Sequence, residues 1–189
     1  MQCVGMGAGL ILNMPPSTRG IVEPPFVSWA ADFKQEIDRR YRHPVGTANG
    51  SVSTADDGTE PRPGLVLTLS GCQSVDTVVL REDLSLGQRV ASWVLEYIPC
   101  GAKPDRWGVI QYTELGSGST IGSKRVFPLV YGTEPITVAA SKIRLRPTHS
   151  VAADGMAHIA ELSAHAANWT NTTRGAPPNP HVTCFAYQG

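Results

Sequence analysis

The sequence predicts a mainly β fold, an antiparallel β-sandwich preceded by a single β/α unit, and three observations carry that prediction. Nineteen glycines and fifteen prolines against only 17% charged residues favour short strands and many turns over long helices. Seven short strand-like runs follow one another between Leu65 and Ala164, punctuated by turn residues, which is the spacing of a sandwich. Ahead of them stands one apolar run stopped by two prolines, then one amphipathic stretch. At 189 residues and 41% hydrophobic content the chain can bury a proper core.

The opening, "VGMGAGLILNMPP", begins at Val4 and admits three readings. A secretory signal needs a basic n-region and a longer apolar core, but residues 1–16 hold no basic residue and Asn13 interrupts the run, so no signal peptide is expected. A dinucleotide loop needs G-x-G-x-x-G after a strand, because backbone amides at a helix mouth must face the pyrophosphate. Here the spacing is G-x-G-x-G and it precedes the apolar run, so no cofactor is expected. What remains is a buried strand, Leu10 to Met14, ended by Pro15-Pro16.

Phe26 to Tyr41 reads as a helix, since Trp29, Phe33 and Ile37 recur every four residues on one face. Residues 1–42 therefore form one β/α unit, which cannot cover its strand without neighbours. Residues 43–63 are rich in Gly, Thr, Ser, Asp and Pro and read as a linker or inserted loop. The sandwich is expected over residues 64–168, with strands at Leu65 to Leu69, Asp76 to Leu80, Ala91 to Ile98, Trp107 to Thr113, Lys124 to Leu129, Thr137 to Arg146 and Ala157 to Ala164. The alternation of Ile143 and Leu145 with Lys142, Arg144 and Arg146, and of Trp93, Leu95 and Tyr97 with Ser92 and Glu96, gives two of these strands one wet face each. In the last run Ile159, Leu162 and Ala166 also fit a helical stripe, but it is read as a strand. The polar, proline-rich tail of residues 169–189 suggests disorder, although Phe185 and Tyr187 could dock on the sandwich.

Sixteen basic and sixteen acidic residues leave no electrostatic footprint for nucleic acid, and no apolar segment is long enough to span a membrane. Cys3, Cys72, Cys100 and Cys184 lie too far apart for a zinc or redox motif and read as buried thiols or one disulfide. His43, His149, His158, His165 and His181 show no metal-ligand spacing, and no G-x-S-x-G elbow is present. "TADDGTE" lacks the alternating oxygen ligands of a calcium loop. Sequons at Asn49, Asn168 and Asn171 make these three glycosylation candidates and lean toward a secretory route.

"TVVLREDLSLGQRVASWVLEY" (Thr77 to Tyr97), "GSTIGSKRV" (Gly118 to Val126) and "ASKIRLRPTHS" (Ala140 to Ser150) resemble the C-terminal sandwich of the family 29 α-L-fucosidases, especially the plant and bacterial type. "GAGLILNMPPSTRGIV" resembles the same family's glycine-rich turn into its last barrel strand. The resemblance implies a galactose-binding-like, jelly-roll sandwich preceded by the final strand and helix of a (β/α)8-like barrel whose other parts are missing here. It further implies a retaining glycosidase acting on terminal L-fucose of glycoconjugates, with fucosylated glycans and the barrel as partners, and a secreted, lysosomal or vacuolar parent enzyme.

Such enzymes need a carboxylate nucleophile and a carboxyl acid about 5 Å apart across one bond. No Asp or Glu here matches the family's catalytic motifs, so no catalytic residue is assigned and the chain is expected to be inactive alone. Glu82 and Asp83 are adjacent, face opposite ways in a strand, and read as loop hydrogen-bonding groups with an ion pair to Arg81 or Arg89. A sugar subsite is the one local function to weigh. Trp107, beside Asp105 and Arg106 and with Tyr112 and Arg125 as distant helpers, could stack on a pyranose, or be core as Trp93 is. Asn13 at the strand end could touch a substrate pocket or fix its loop. The alternative to a fucosidase fragment is a stand-alone carbohydrate-binding sandwich.

Overall fold

The computed structural model describes residues 9–12, 14–54, 63–132, 134–166 and 182–185. In chain order these form β1 (Gly9–Leu12), α1 (Pro24–Tyr41), β2 (Gly46–Ser53), β3 (Leu65–Val75), β4 (Thr77–Glu82), β5 (Val90–Pro99), β6 (Thr113–Gly118), β7 (Arg125–Pro128), β8 (Val130–Tyr131), β9 (Glu134–Pro135), β10 (Val138–Ser150), β11 (Met156–His165) and β12 (Val182–Phe185). Two four-stranded antiparallel sheets, ordered β3-β10-β5-β6 and β2-β11-β4-β7, make the predicted sandwich.

The core lies between the sheets and follows the strand period of two. Leu95 on β5, Ile143 and Leu145 on β10, and Val78 and Leu80 on β4 point inward, as do Ile159 and Leu162 on β11, whose phase shifts at an irregularity between Ile159 and Glu161. Trp93 is 1% exposed and stands edge-on to Phe127 at 5.5 Å. Its cross-strand partner is Gly118, where a Cβ would come within 2.5 Å of the indole, so glycine there makes room for the largest core side chain.

Four expectations need correction. Gly46–Ser53, expected within a linker, is β2, and pairs with β11. It carries almost no large apolar side chain because it approaches the core closely: a Cβ at Gly46 would meet Leu69 at 2.7 Å. Trp107 to Tyr112, expected as a strand, is a loop, and β6 begins at Thr113. Arg144, expected on a wet face, is buried, because Glu96 pairs with it and the ring of Tyr112 lies 3.8 Å from its guanidinium carbon. Val182–Phe185, in the tail read as disordered, is a strand paired antiparallel with β1, consistent with its β-prone Val-Thr-Cys-Phe sequence.

Two prolines open α1, whose missing N–H groups cost nothing in the first turn. Its surface carries the ion pairs Lys34–Asp38 and Glu36–Arg39 with Glu36–Arg40. Trp29 and Phe33 stack at 5.8 Å, yet no side chain of α1 is fully buried. Its last turn rests on the sandwich: Tyr41 meets His165 edge-on at 5.6 Å on the outer face of the β2-β11-β4-β7 sheet. No described helix is long and apolar enough to cross a membrane.

Candidate functional site

The β5–β6 loop displays the most exposed of the described tryptophans. Asp105 organises it: one carboxylate oxygen accepts from the backbone N–H of Trp107 at 2.8 Å and of Val109 at 3.0 Å, and the other from Gln111 Nε2 at 3.0 Å. The Asp105 N–H donates to the Val109 carbonyl, that of Gly108 donates back to Asp105, and Gly108 takes a φ of +78° that favours glycine. This side-chain capture of amides competes with a strand ladder and explains why a β-prone stretch turns instead. The Val109 amide first, then Gln111 and the Trp107 amide, holds the Asp105 carboxyl below the usual range.

On this frame Trp107 is 74% exposed, with the Arg106 guanidinium over its ring at 4.8 Å. At the loop's end Tyr112 lies over Arg144, whose Nε donates to Glu96 at 2.8 Å, and burial pushes the Tyr112 phenol up. The structure thus gathers Asp105, Arg106, Trp107 and Tyr112 in one loop. Arg125, read as a helper, stands on β7 in the other sheet. Asn13, Asn168 and Asn171 lie outside the described residues. Asn49 is exposed on the edge strand β2, where a glycan has room.

A second feature has no counterpart in the sequence reading. A cavity of about 290 Å³ opens on the outer face of the β2-β11-β4-β7 sheet, lined by Tyr41, Arg81, Lys124, Glu161 and His165 among others. Burial holds the His165 imidazole below the usual histidine range, while the Glu161 carboxylate pulls it back up. Its Nε2 meets Ser163 Oγ at 3.0 Å. Burial likewise pushes the Tyr41 phenol up to about 12. The only sequence trace of this recess is the alternation of Glu161, Ser163 and His165 along β11, which places all three on the outer face.

The carboxylates of the sandwich are occupied structurally. Glu82 is buried, and its carboxylate accepts from the backbone N–H groups of Arg89, Val90 (2.8 Å) and Gly122 (3.4 Å). The expected loop hydrogen bonding is therefore found, but the ion pair to Arg81 or Arg89 is not: Arg89 pairs with Asp154 and Arg81 with Glu161. Backbone amides satisfy a buried carboxylate without a second desolvated charge. Asp83 caps the single turn at Leu84–Leu86 by accepting from the Ser85 N–H. Cys72 and Cys100 form a disulfide. Among the described residues no group of three or more His, Cys, Asp or Glu could hold a metal ion.

Comparison of the whole chain with solved structures gives a consistent answer. A protein from Bacteroides thetaiotaomicron assigned as an α-L-fucosidase matches with a TM-score of 0.68 at 23% identity, over 87% of this chain and 32% of its own. This chain shares its fold with part of the family 29 α-L-fucosidases. A glycoside hydrolase 29 family member from an unknown rumen bacterium matches over 91% of this chain and 28% of its own, at 22% identity and a TM-score of 0.67. A family 29 fucosidase from Ruminococcus gnavus, solved with fucose, matches over 86% and 34%, at 21% identity and a TM-score of 0.61. The chain therefore spans about a third of the length of these family 29 proteins. No protein-family model and no curated protein matches it.

Proposed function

We propose that the chain is the C-terminal portion of an α-L-fucosidase, in which β1 and α1 close the catalytic barrel and the sandwich stands beside it. The observation that carries this reading is the reach of the structural match. It covers 87% of the chain, a share larger than residues 43–189 make up, so it extends into the β/α unit as well as the sandwich. In this reading the whole enzyme removes terminal L-fucose from glycoconjugates with retention, through a carboxylate nucleophile and a carboxyl acid about 5 Å away. Both come from barrel strands outside this chain. Glu82, Glu96, Asp105, Asp154 and Glu161 each hold protein partners, which supports the view that the sandwich supplies neither. The Cys72–Cys100 disulfide and the Asn49 sequon support a secreted, lysosomal or vacuolar setting for the parent enzyme.

The purified chain is expected to release no nitrophenol from p-nitrophenyl α-L-fucoside, whereas the same chain joined to the barrel encoded in frame ahead of it turns the substrate over. Turnover by the chain alone, in a preparation cleared of host glycosidases, overturns the assignment of the carboxylates to the barrel. Absence of a barrel in the transcript moves the reading to a carbohydrate-binding sandwich. The exposed Trp107 is the observation that favours that second reading.

A further inference from the structure

We infer that the Trp107 loop is a saccharide-binding subsite on the side of the sandwich away from the last turn of α1, taking the apolar C–H face of a neutral pyranose. The inference rests on the glycan-processing reading above only for the choice of sugar. Its own support is positional and chemical.

The position comes from the two sheets. The last turn of α1 lies on the outer face of β2-β11-β4-β7, where Tyr41 meets His165. The Trp107 loop leaves the other sheet, and its Tyr112 lies over Arg144. Arg144 faces outward there, because its neighbours Ile143 and Leu145 are the core residues of β10. The last turn of the helix that would lead toward a barrel and the Tyr112 anchor of the Trp107 loop are thus on opposite outer faces.

The chemistry comes from the loop itself. Trp107 is held by its own backbone N–H on Asp105 and by the glycine turn that follows, so a flat ring is presented in a fixed place at little further ordering cost. Arg106 occupies one ring face at 4.8 Å and leaves the other for a ligand. An exposed, fixed aromatic face suits a pyranose, whose C–H groups stack on the ring while its hydroxyls point sideways. A 6-deoxy sugar adds a methyl group to that apolar face.

The test is titration of the full chain with L-fucose, lactose and a fucosyl-lactose trisaccharide, followed by tryptophan fluorescence and by saturation-transfer NMR on the ligand. Saturable binding of at least one probe in the millimolar range is expected, weakened about tenfold by Trp107→Ala and largely kept by Trp107→Tyr. Trp107→Ala should leave the unfolding midpoint in place, since the ring is mostly exposed. Binding that Trp107→Ala does not change, or no saturation with any probe, overturns the subsite. So does a monomer–dimer equilibrium lost in Trp107→Ala, which would make the ring a protein contact. The two readings fail separately: fucoside turnover by the barrel-joined chain with a flat titration removes the subsite alone, and saturable binding without turnover removes the fucosidase reading alone.

Discussion

At the scale of single residues, the polar groups of the sandwich show two ways of surviving burial. Glu82 accepts from three backbone amides, so the carboxylate and these donors satisfy one another and tie the end of β4 to the start of β5 and to the turn at Gly122. His165 is buried differently, against Tyr41 and with Ser163 as its polar neighbour, and burial disfavours its charged form. The consequence for stability has a definite sign. In the unfolded chain the imidazole takes up its proton at about pH 6.5. In the folded protein it resists until a lower pH, so the unfolded state binds more protons below 6.5 and folding weakens as pH falls from there to the folded value. Above that range the contribution is fully present. Urea unfolding of the chain and of His165→Gln between pH 7.5 and 5 is expected to show a steeper loss in the chain, by up to about 1.4 kcal/mol per pH unit. Parallel curves would mean that His165 does not carry this dependence.

At the scale of elements, legibility in the sequence followed how each strand buries itself. β5 and β10 bury large alternating side chains, so their period was visible; β11 shifts phase between Ile159 and Glu161, which is why its apolar residues also fit a helical stripe, and its pairing to β2 and β4 agrees with the strand reading. β2 was hidden because it contributes backbone and small side chains, with Val52 its single buried hydrophobic residue. The Trp107 loop was misread because one aspartate redirects a β-prone stretch, an effect that periodicity does not register. Trp107 itself was legible as a candidate, while its exposure was not. The disulfide also depends on an irregularity. Cys72 on β3 and Cys100 after β5 flank β10, and strands two apart in a sheet stand about 9.5 Å from each other. Their Cα atoms are 5.6 Å apart because β3 leaves its register between Thr68 and Gln73, with Gly71 in the left-handed region. The bridge staples this excursion to the end of β5. Replacing both cysteines by serine is expected to lower unfolding free energy by about 3.5 kcal/mol through the entropy of the reopened loop. An unchanged urea midpoint would show that the bulge is held by β10 alone.

At the scale of the whole molecule, the two parts that the sequence suggested are unequal in what they bury. Among the residues whose burial is described, every member of the central core cluster lies between Leu67 and Ala164, and none comes from α1. The sandwich has the makings of a cooperative unit, whereas α1 keeps Trp29 and Phe33 only partly covered. On the proposed reading that asymmetry is expected, since a barrel helix would pack on the other strands of its barrel. A chain beginning at Arg40 retains Tyr41 over His165 and keeps every described residue of that core. It is expected to unfold in one transition within about 3 °C of the full chain, while binding less of a hydrophobic dye because the part-exposed aromatic face of α1 is gone. A large fall in the midpoint would show that the β/α unit stabilises the sandwich directly. In that event the two segments form one folding unit, and the boundary between them at residue 43 has no energetic meaning.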